Sequence, residues 1–150
     1  METRTPQKIL VATDFSVGSD EALDQAIEIG KPSGAAVEVL HVIEMAEEFP
    51  FGTVYFDADY GALYVQVDRQ LNERADHVKA AGLPCTTKIL EGTAVAEITQ
   101  RGRDIGADLI VVGTHGRTGL AHAMLGSVAE RVVRRAGCPV LTVPFSKRAA

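Results

Sequence analysis

Residues Leu109–Ser127 read LIVVGTHGRTGLAHAMLGS, and glycines recur within them as Gly113-x2-Gly116-x9-Gly126-Ser127. An apolar run that breaks into glycines and then into a helix start is how an α/β chain seats an anion. Glycine lets the backbone approach a phosphate oxygen closely, and a helix N-terminus presents unpaired N–H groups with a partial positive charge. In this reading Gly113, Gly116 and Gly126 supply backbone amides. Ser127 supplies its hydroxyl or, if that hydroxyl caps the helix, its amide. The alternative is a tight turn followed by an ordinary cap. The spacing is neither G-x4-G-K-[ST] nor G-x-G-x-x-G, and neither pattern occurs in the chain. Within the loop, Arg117 could cover a terminal phosphate as a fork of donors or simply stand in solvent. His115 is a candidate acid or base that nothing adjacent orients. Asp14, near the other end of the chain, can accept from sugar hydroxyls or cap its own turn.

These residues must be held by a scaffold, and the chain spells one out. Lys8–Ala12 (KILVA) is a short apolar strand. Thr13–Ser16 is a turn, and Ser19 reads as an N-cap with Asp20 and Glu21 behind it. Ala22, Leu23, Ala26 and Ile27 give the first helix its inner stripe, which stops at Lys31-Pro32-Ser33-Gly34. Ala36–Ile43 is the second strand. Val67, Leu71, Ala75, Val78 and Ala81 mark a second helix ending at Gly82 and Pro84, and Cys85–Leu90 alternates as a third strand. Thr93 caps a third helix running to about Ile105, and Leu109–Gly113 is the fourth strand. Ser127-x-x-Glu130 is a capping-box pattern that opens the last helix, with Val128, Val132 and Ala136 as its inner stripe. Gly137 and Pro139 end that helix, and Val140–Val143 is the fifth strand. The β-α alternation implies a parallel sheet with helices on both faces. It does not give the strand order.

Gly113-Thr114-His115-Gly116, nine residues, then Gly126-Ser127, resembles the ATP-binding signature of the universal stress protein family. The opening Ile9–Ser16 (ILVATDFS) resembles that family's first strand and turn, and Cys138–Pro144 (CPVLTVP) its last strand. The resemblance spans nearly the whole chain, with Glu44–Tyr64 the part it determines least. It implies a Rossmann-like α/β fold of the adenine nucleotide alpha hydrolase-like type: an open five-stranded parallel sheet of order 3-2-1-4-5, helices on both faces. Strands one and four then flank the point where the winding reverses. Ligands bind there, outside the carboxyl ends of the strands. It also implies a nucleotide-binding set of Ala12, Thr13, Asp14, Val42, Ile43, Gly113, Thr114, His115, Gly116, Arg117, Gly126, Ser127 and Val128. Asp14 would meet the ribose, and Val42 and Ile43 would wall the base. ATP, ADP or AMP would be held as ligand or signal, with Mg2+ as the usual companion of ATP and hydrolysis slow or absent. Many relatives dimerise through the last strand, so a homodimer paired through Val140–Val143 is expected.

Composition bounds the rest. A chain of 150 residues fits one domain with a real core. A formal net charge of −5 argues against broad contact with nucleic acid or an anionic membrane. No apolar run could cross a bilayer and METRTPQK has no signal-peptide core, so the expected location is cytoplasmic. Cys85 and Cys138 have no metal-ligand spacing and read as small, partly buried hydrophobes, with a redox or inter-chain role as the alternative. His41 and His77 read as structural, and His122 is undecided. Glu44–Tyr64 gathers Phe49, Phe51, Tyr55, Phe56, Tyr60 and Tyr64 with five acidic residues. It reads as a loop anchored by its own aromatics, or as a lid or protein-partner surface beside the ligand. Two other functions compete with nucleotide binding as such: an ATP hydrolase or nucleotidyl transferase of the same topology, and an interaction module without nucleotide. No G-x-S-x-G or H-E-x-x-H motif supports a hydrolytic or zinc centre.

Overall fold

The structure is a computed structural model that describes residues 4–44, 57–114 and 125–146, with the side chains at 57–59 outside the description. Five strands alternate with four helices: β1 (Lys8–Ala12), α1 (Val17–Gly30), β2 (Ala36–Glu44), α2 (Asp57–Ala80), β3 (Cys85–Gly92), α3 (Ala94–Asp104), β4 (Leu109–Gly113), α4 (Ser127–Arg135) and β5 (Val140–Val143). All four pairings are parallel and the order is β3-β2-β1-β4-β5. The central strands are covered on both faces, which is why they read as unbroken apolar runs. On one face Ile9, Val11, Val37, Val39 and Val111 pack against Leu23 and Ile27 of α1 and Val67, Leu71 and Val78 of α2. On the other, Leu10, Leu40, Ile110 and Val112 meet Val95 and Ile98 of α3 and Ala129 and Val132 of α4.

The register sets Glu38 of β2 beside Leu10 of β1, on the face that α3 covers. Glu38 is only 8% exposed. Arg101 of α3 reaches it with two bonds, Nε to Oε1 at 2.7 Å and Nη2 to Oε2 at 3.0 Å. A buried carboxylate needs such a partner, because desolvation penalises an uncompensated charge. The same pairing raises the Arg101 pKa, through the hydrogen bond to Glu38.

Helix boundaries depart from the sequence reading in three places, and one cap residue lacks its bond. Ser16, not Ser19, caps α1: its hydroxyl accepts from the Ser19 amide at 3.2 Å. Ser19 lies inside the first turn, buried, with its hydroxyl donating to the Ser16 carbonyl at 2.9 Å. Gly126 takes the cap position of α4, so Ser127 is already helical and the capping box does not form. Glu130 instead pairs with Arg134 at 2.8 Å. That start rotates the helix so that Ala129 and Val132 face the core while Val128 is 38% exposed. Thr93 does hold the cap position of α3, but its hydroxyl makes no capping bond. Finally, α2 begins at Asp57, several turns before Val67. Tyr60 and Tyr64 therefore lie on a helix, and both hydroxyls donate to Glu91 at the end of β3, Tyr60 at 2.7 Å. The Glu91 contact pushes the Tyr64 pKa up to about 12. Burial pushes the Cys85 thiol up to about 11 and raises the Cys138 thiol as well, consistent with two quiet, partly buried side chains. His77 pairs with Asp24 at 2.7 Å between α2 and α1, a structural role.

Candidate functional site

The winding reverses between β1 and β4, and a cavity of about 530 Å³ opens at their carboxyl ends. Ala12, Thr13 and Asp14 line it from the end of β1, Val42 and Ile43 from β2, Gly113 and Thr114 from β4, and Gly126, Ser127 and Val128 from the start of α4. Every described member of the expected set thus meets in one place. His115, Gly116 and Arg117, with His122, fall outside the described residues, as do Phe49, Phe51, Tyr55 and Phe56.

Two glycines are required here by close approach. A Cβ on Gly113 would stand 3.1 Å from the Gly18 carbonyl oxygen, where β4 abuts the start of α1. A Cβ on Gly126 would stand 2.4 Å from the Thr114 carbonyl oxygen. The Gly126 amide donates to that same oxygen at 2.9 Å, so it is spent on the fold rather than offered to a ligand, contrary to the sequence expectation. The donors move one step on. The amides of Ser127, Val128 and Ala129 open α4, where geometry leaves no intrahelical carbonyl for them, and Gly126 brings no side chain to cap them. Their partial positive charge suits an anion.

Thr114 adds a second polar signal. It is 9% exposed, and its Oγ1 is buried without a hydrogen-bond partner among the described residues. Buried hydroxyls are rarely left so. On the opposite wall, the Asp14 carboxylate accepts from the Ser16 amide at 3.0 Å through Oδ1. Asp14 therefore does cap its own turn, and the cap also orients it at the cavity edge. The following residue, Phe15, has φ +66°, a left-handed conformation that costs a bulky side chain about 1–3 kcal/mol.

Sequence reasoning missed His41 and Leu63. His41 was read as structural, and it does bond the Thr13 carbonyl through Nδ1 at 2.8 Å, but it also lines the cavity. Leu63 of α2 does so too, a consequence of the early start of that helix. A signal for that start was present: Tyr60, Tyr64, Val67 and Leu71 follow one helical stripe. Among the described residues no cluster of histidine, cysteine or carboxylate groups could hold a metal ion, and no helix is long and apolar enough to cross a membrane.

A parallel sheet wound in this order, with a glycine-bounded helix start at its switch point, defines a doubly wound α/β protein with a crevice suited to an anion. Residues 5–144 match the model of the universal stress protein family, and the chain belongs to that family. Universal stress protein MJ0531 of Methanocaldococcus jannaschii is 36% identical over 146 residues, covering 95% of this chain and 84% of its own. The solved structure of the hypothetical protein MJ0577 superposes with a TM-score of 0.85 at 28% identity, across 96% of this chain and 99% of that one. A universal stress protein solved in complex with cAMP superposes with a TM-score of 0.71 at 29% identity, across 95% of this chain and 100% of that one.

Proposed function

We propose that this universal stress protein binds an adenine nucleotide, ATP or its AMP and ADP relatives, as a ligand or signal, with slow or no hydrolysis. The observation that carries the reading is the pairing of the open amides of α4 with the Thr114 hydroxyl, unpartnered among the described residues, on the wall facing Asp14. An anion fits the first wall and a sugar the second. The related protein solved in complex with cAMP supports an adenine nucleotide as the ligand. In this arrangement Ser127 and Val128 hold phosphate through their amides and Asp14 takes ribose hydroxyls. Val42 and Ile43 give the base an apolar wall. Gly116, Arg117 and His115, from the loop between β4 and α4, complete the phosphate end, with Mg2+ as the companion of bound ATP. No lysine or arginine is among the described lining residues, so Arg117, between Gly116 and Gly126 in sequence, is the cation this reading assigns to balance the phosphates. His41, the described imidazole of the cavity, is held by Thr13 and stacked on Phe15, which does not poise it as a general base. The protein acts as one cytoplasmic domain. Tyr60 and Tyr64, bound to Glu91, anchor the described end of Glu44–Tyr64 to β3, and a protein partner at that segment stays part of the reading.

The test is direct. Nucleotide released from the purified protein should be adenine-containing, and phosphate release from added ATP should be far below the ordinary enzyme range of about 1–10³ s⁻¹. Asp14→Ala should weaken ATP binding by about 1–3 kcal/mol, as for a hydrogen bond to a charged acceptor. If that variant and wild type bind ATP and sugar-deoxygenated ATP alike, Asp14 is a turn residue only.

The same reading includes a homodimer paired through β5. Ile110 and Thr114 donate to the carbonyls of Pro139 and Val143, so alternation turns the backbone groups of Val140 and Thr142 to the open edge. Val143 is already buried in the chain's own core, which leaves Val140, Leu141 and Thr142 to meet a second copy. Thr142→Pro removes an outward donor and should convert the dimer to monomer in sedimentation at tens of micromolar, roughly the working range for a standard-size interface. A monomeric wild type, or a dimer that survives Thr142→Pro, excludes this interface.

A further inference from the structure

We propose that Arg74 is a positioning residue for the sugar end of the site, acting through Phe15 on Asp14; the inference rests on the ribose contact proposed for Asp14. Phe15 is the one described non-glycine residue with a positive φ. It directly follows Asp14 and directly precedes Ser16, whose amide orients the Asp14 carboxylate. A residue held in so unfavourable a conformation must be over-determined by its surroundings. Arg74 of α2 supplies much of that restraint. Its Nη2 donates to the Phe15 carbonyl at 3.3 Å, and its guanidinium carbon lies 4.8 Å from the centre of the Phe15 ring. His41 stacks on the same ring, centroids 4.4 Å apart at 25°. The Phe15 amide donates to Thr13 Oγ1 at 3.0 Å.

Arg74 is itself fixed. Its Nε and Nη2 grip Asp20 of α1 at 2.8 and 3.1 Å, and Nη1 donates to the Gln70 carbonyl at 3.1 Å. The Arg74 side chain is 15% exposed and that of Asp20 45%, so the guanidinium side of the fork is the buried one. A rigid fork of this kind suits guanidinium and not ammonium. Without it, Phe15 gains by relaxing to negative φ. The Ser16 amide then swings away from Asp14 Oδ1, and the carboxylate loses its orientation toward the sugar. Arg74 touches no ligand in this scheme. Its effect should therefore fall on the sugar alone.

The experiment is calorimetric titration of the full chain with ATP and with 2′,3′-dideoxy-ATP. Wild type should prefer ATP by roughly tenfold, the scale of one hydrogen bond to a charged acceptor. In Arg74→Met that preference should shrink to about twofold or less while dideoxy-ATP affinity holds within about twofold. Adding Phe15→Asn to Arg74→Met should restore part of the preference, because asparagine tolerates the left-handed region. An unchanged preference in folded Arg74→Met overturns the proposal. An equal loss for both nucleotides also overturns it, since Arg74 would then only staple α2 to α1. If Arg74→Met does not fold by circular dichroism, Arg74→Lys carries the test, because an ammonium keeps a charge for Asp20 but cannot hold the fork to the Phe15 carbonyl; an unchanged preference there overturns the proposal equally. A wild type without any preference shows that the ribose reading of Asp14 has failed, and this inference with it.

Discussion

Gly126→Ala is expected to weaken ATP binding by about 100-fold or more, equivalent to ~2.7 kcal/mol. The backbone at Gly126, φ −60° and ψ 153°, is open to any residue, so the effect is steric and not conformational. The added methyl would meet the Thr114 carbonyl oxygen at 2.4 Å. Thr114 cannot easily retreat, because its amide is held by the Val143 carbonyl of β5 at 3.0 Å. The start of α4 must give way instead, and the hydrogen bond from Gly126 to Thr114 goes with it. The amides of Ser127, Val128 and Ala129 then leave the cavity as a group. Overpacking of this kind also lowers stability, by about 1–3 kcal/mol. Calorimetry and a thermal melt separate the two effects. A folded Gly126→Ala protein with wild-type affinity would place the phosphates elsewhere.

Arg101→Met is expected to destabilise the fold by about 3–5 kcal/mol, the cost of leaving a buried charge without its partner. Glu38 is near the start of β2, flanked in register by Leu10 of β1 and Thr86 of β3, and its side chain is 10% exposed. With Arg101 gone, no other ion pair among the described residues involves it. The double variant Glu38→Leu with Arg101→Met should recover most of the loss, because an apolar pair of similar volume avoids desolvating two charges. Urea midpoints for the three proteins measure this. A single variant as stable as wild type would mean that water reaches Glu38 freely. A double variant no better than the single would mean that packing along the Arg101 stem carries the energy.

The contrast between these two sites shows what the sequence can express. The phosphate end was legible because its signals are local: an apolar strand, spaced glycines and a helix start within Leu109–Ser127. The strands were legible because Ile9–Val11 and Ile110–Val112 are buried from both sides and so cannot carry polar residues. Their order was not in the pattern, since β-α alternation is the same whichever edge a strand joins; the family resemblance supplied it. Glu38 and Arg101 are 63 residues apart, and nothing near either names the other. Ser16 and Ser19 are both good caps by type. The choice between them follows from the left-handed turn at Phe15, which redirects the chain after β1 and hands the cap to Ser16. Gly126 became a cap for a similar reason: its bond to Thr114 ties it to the end of β4, so the helix can begin only after it. Both corrections come from contacts just past the ends of β1 and β4, of Arg74 with Phe15 and of Gly126 with Thr114, and the first of these joins residues far apart in sequence.

The central claim is that the cavity between β1 and β4 holds an adenine nucleotide by the amides of α4 and the carboxylate of Asp14. Titration of the nitrogen-15-labelled protein with ATP, followed by amide resonances, tests it most directly. The account predicts saturating shifts at Thr114, Ser127, Val128, Ala129 and the Asp14–Ser16 turn, with one nucleotide bound per chain. Shifts absent from those amides, or clustered at the opposite end of the sheet around Lys8, Glu38 and Arg101, would contradict it.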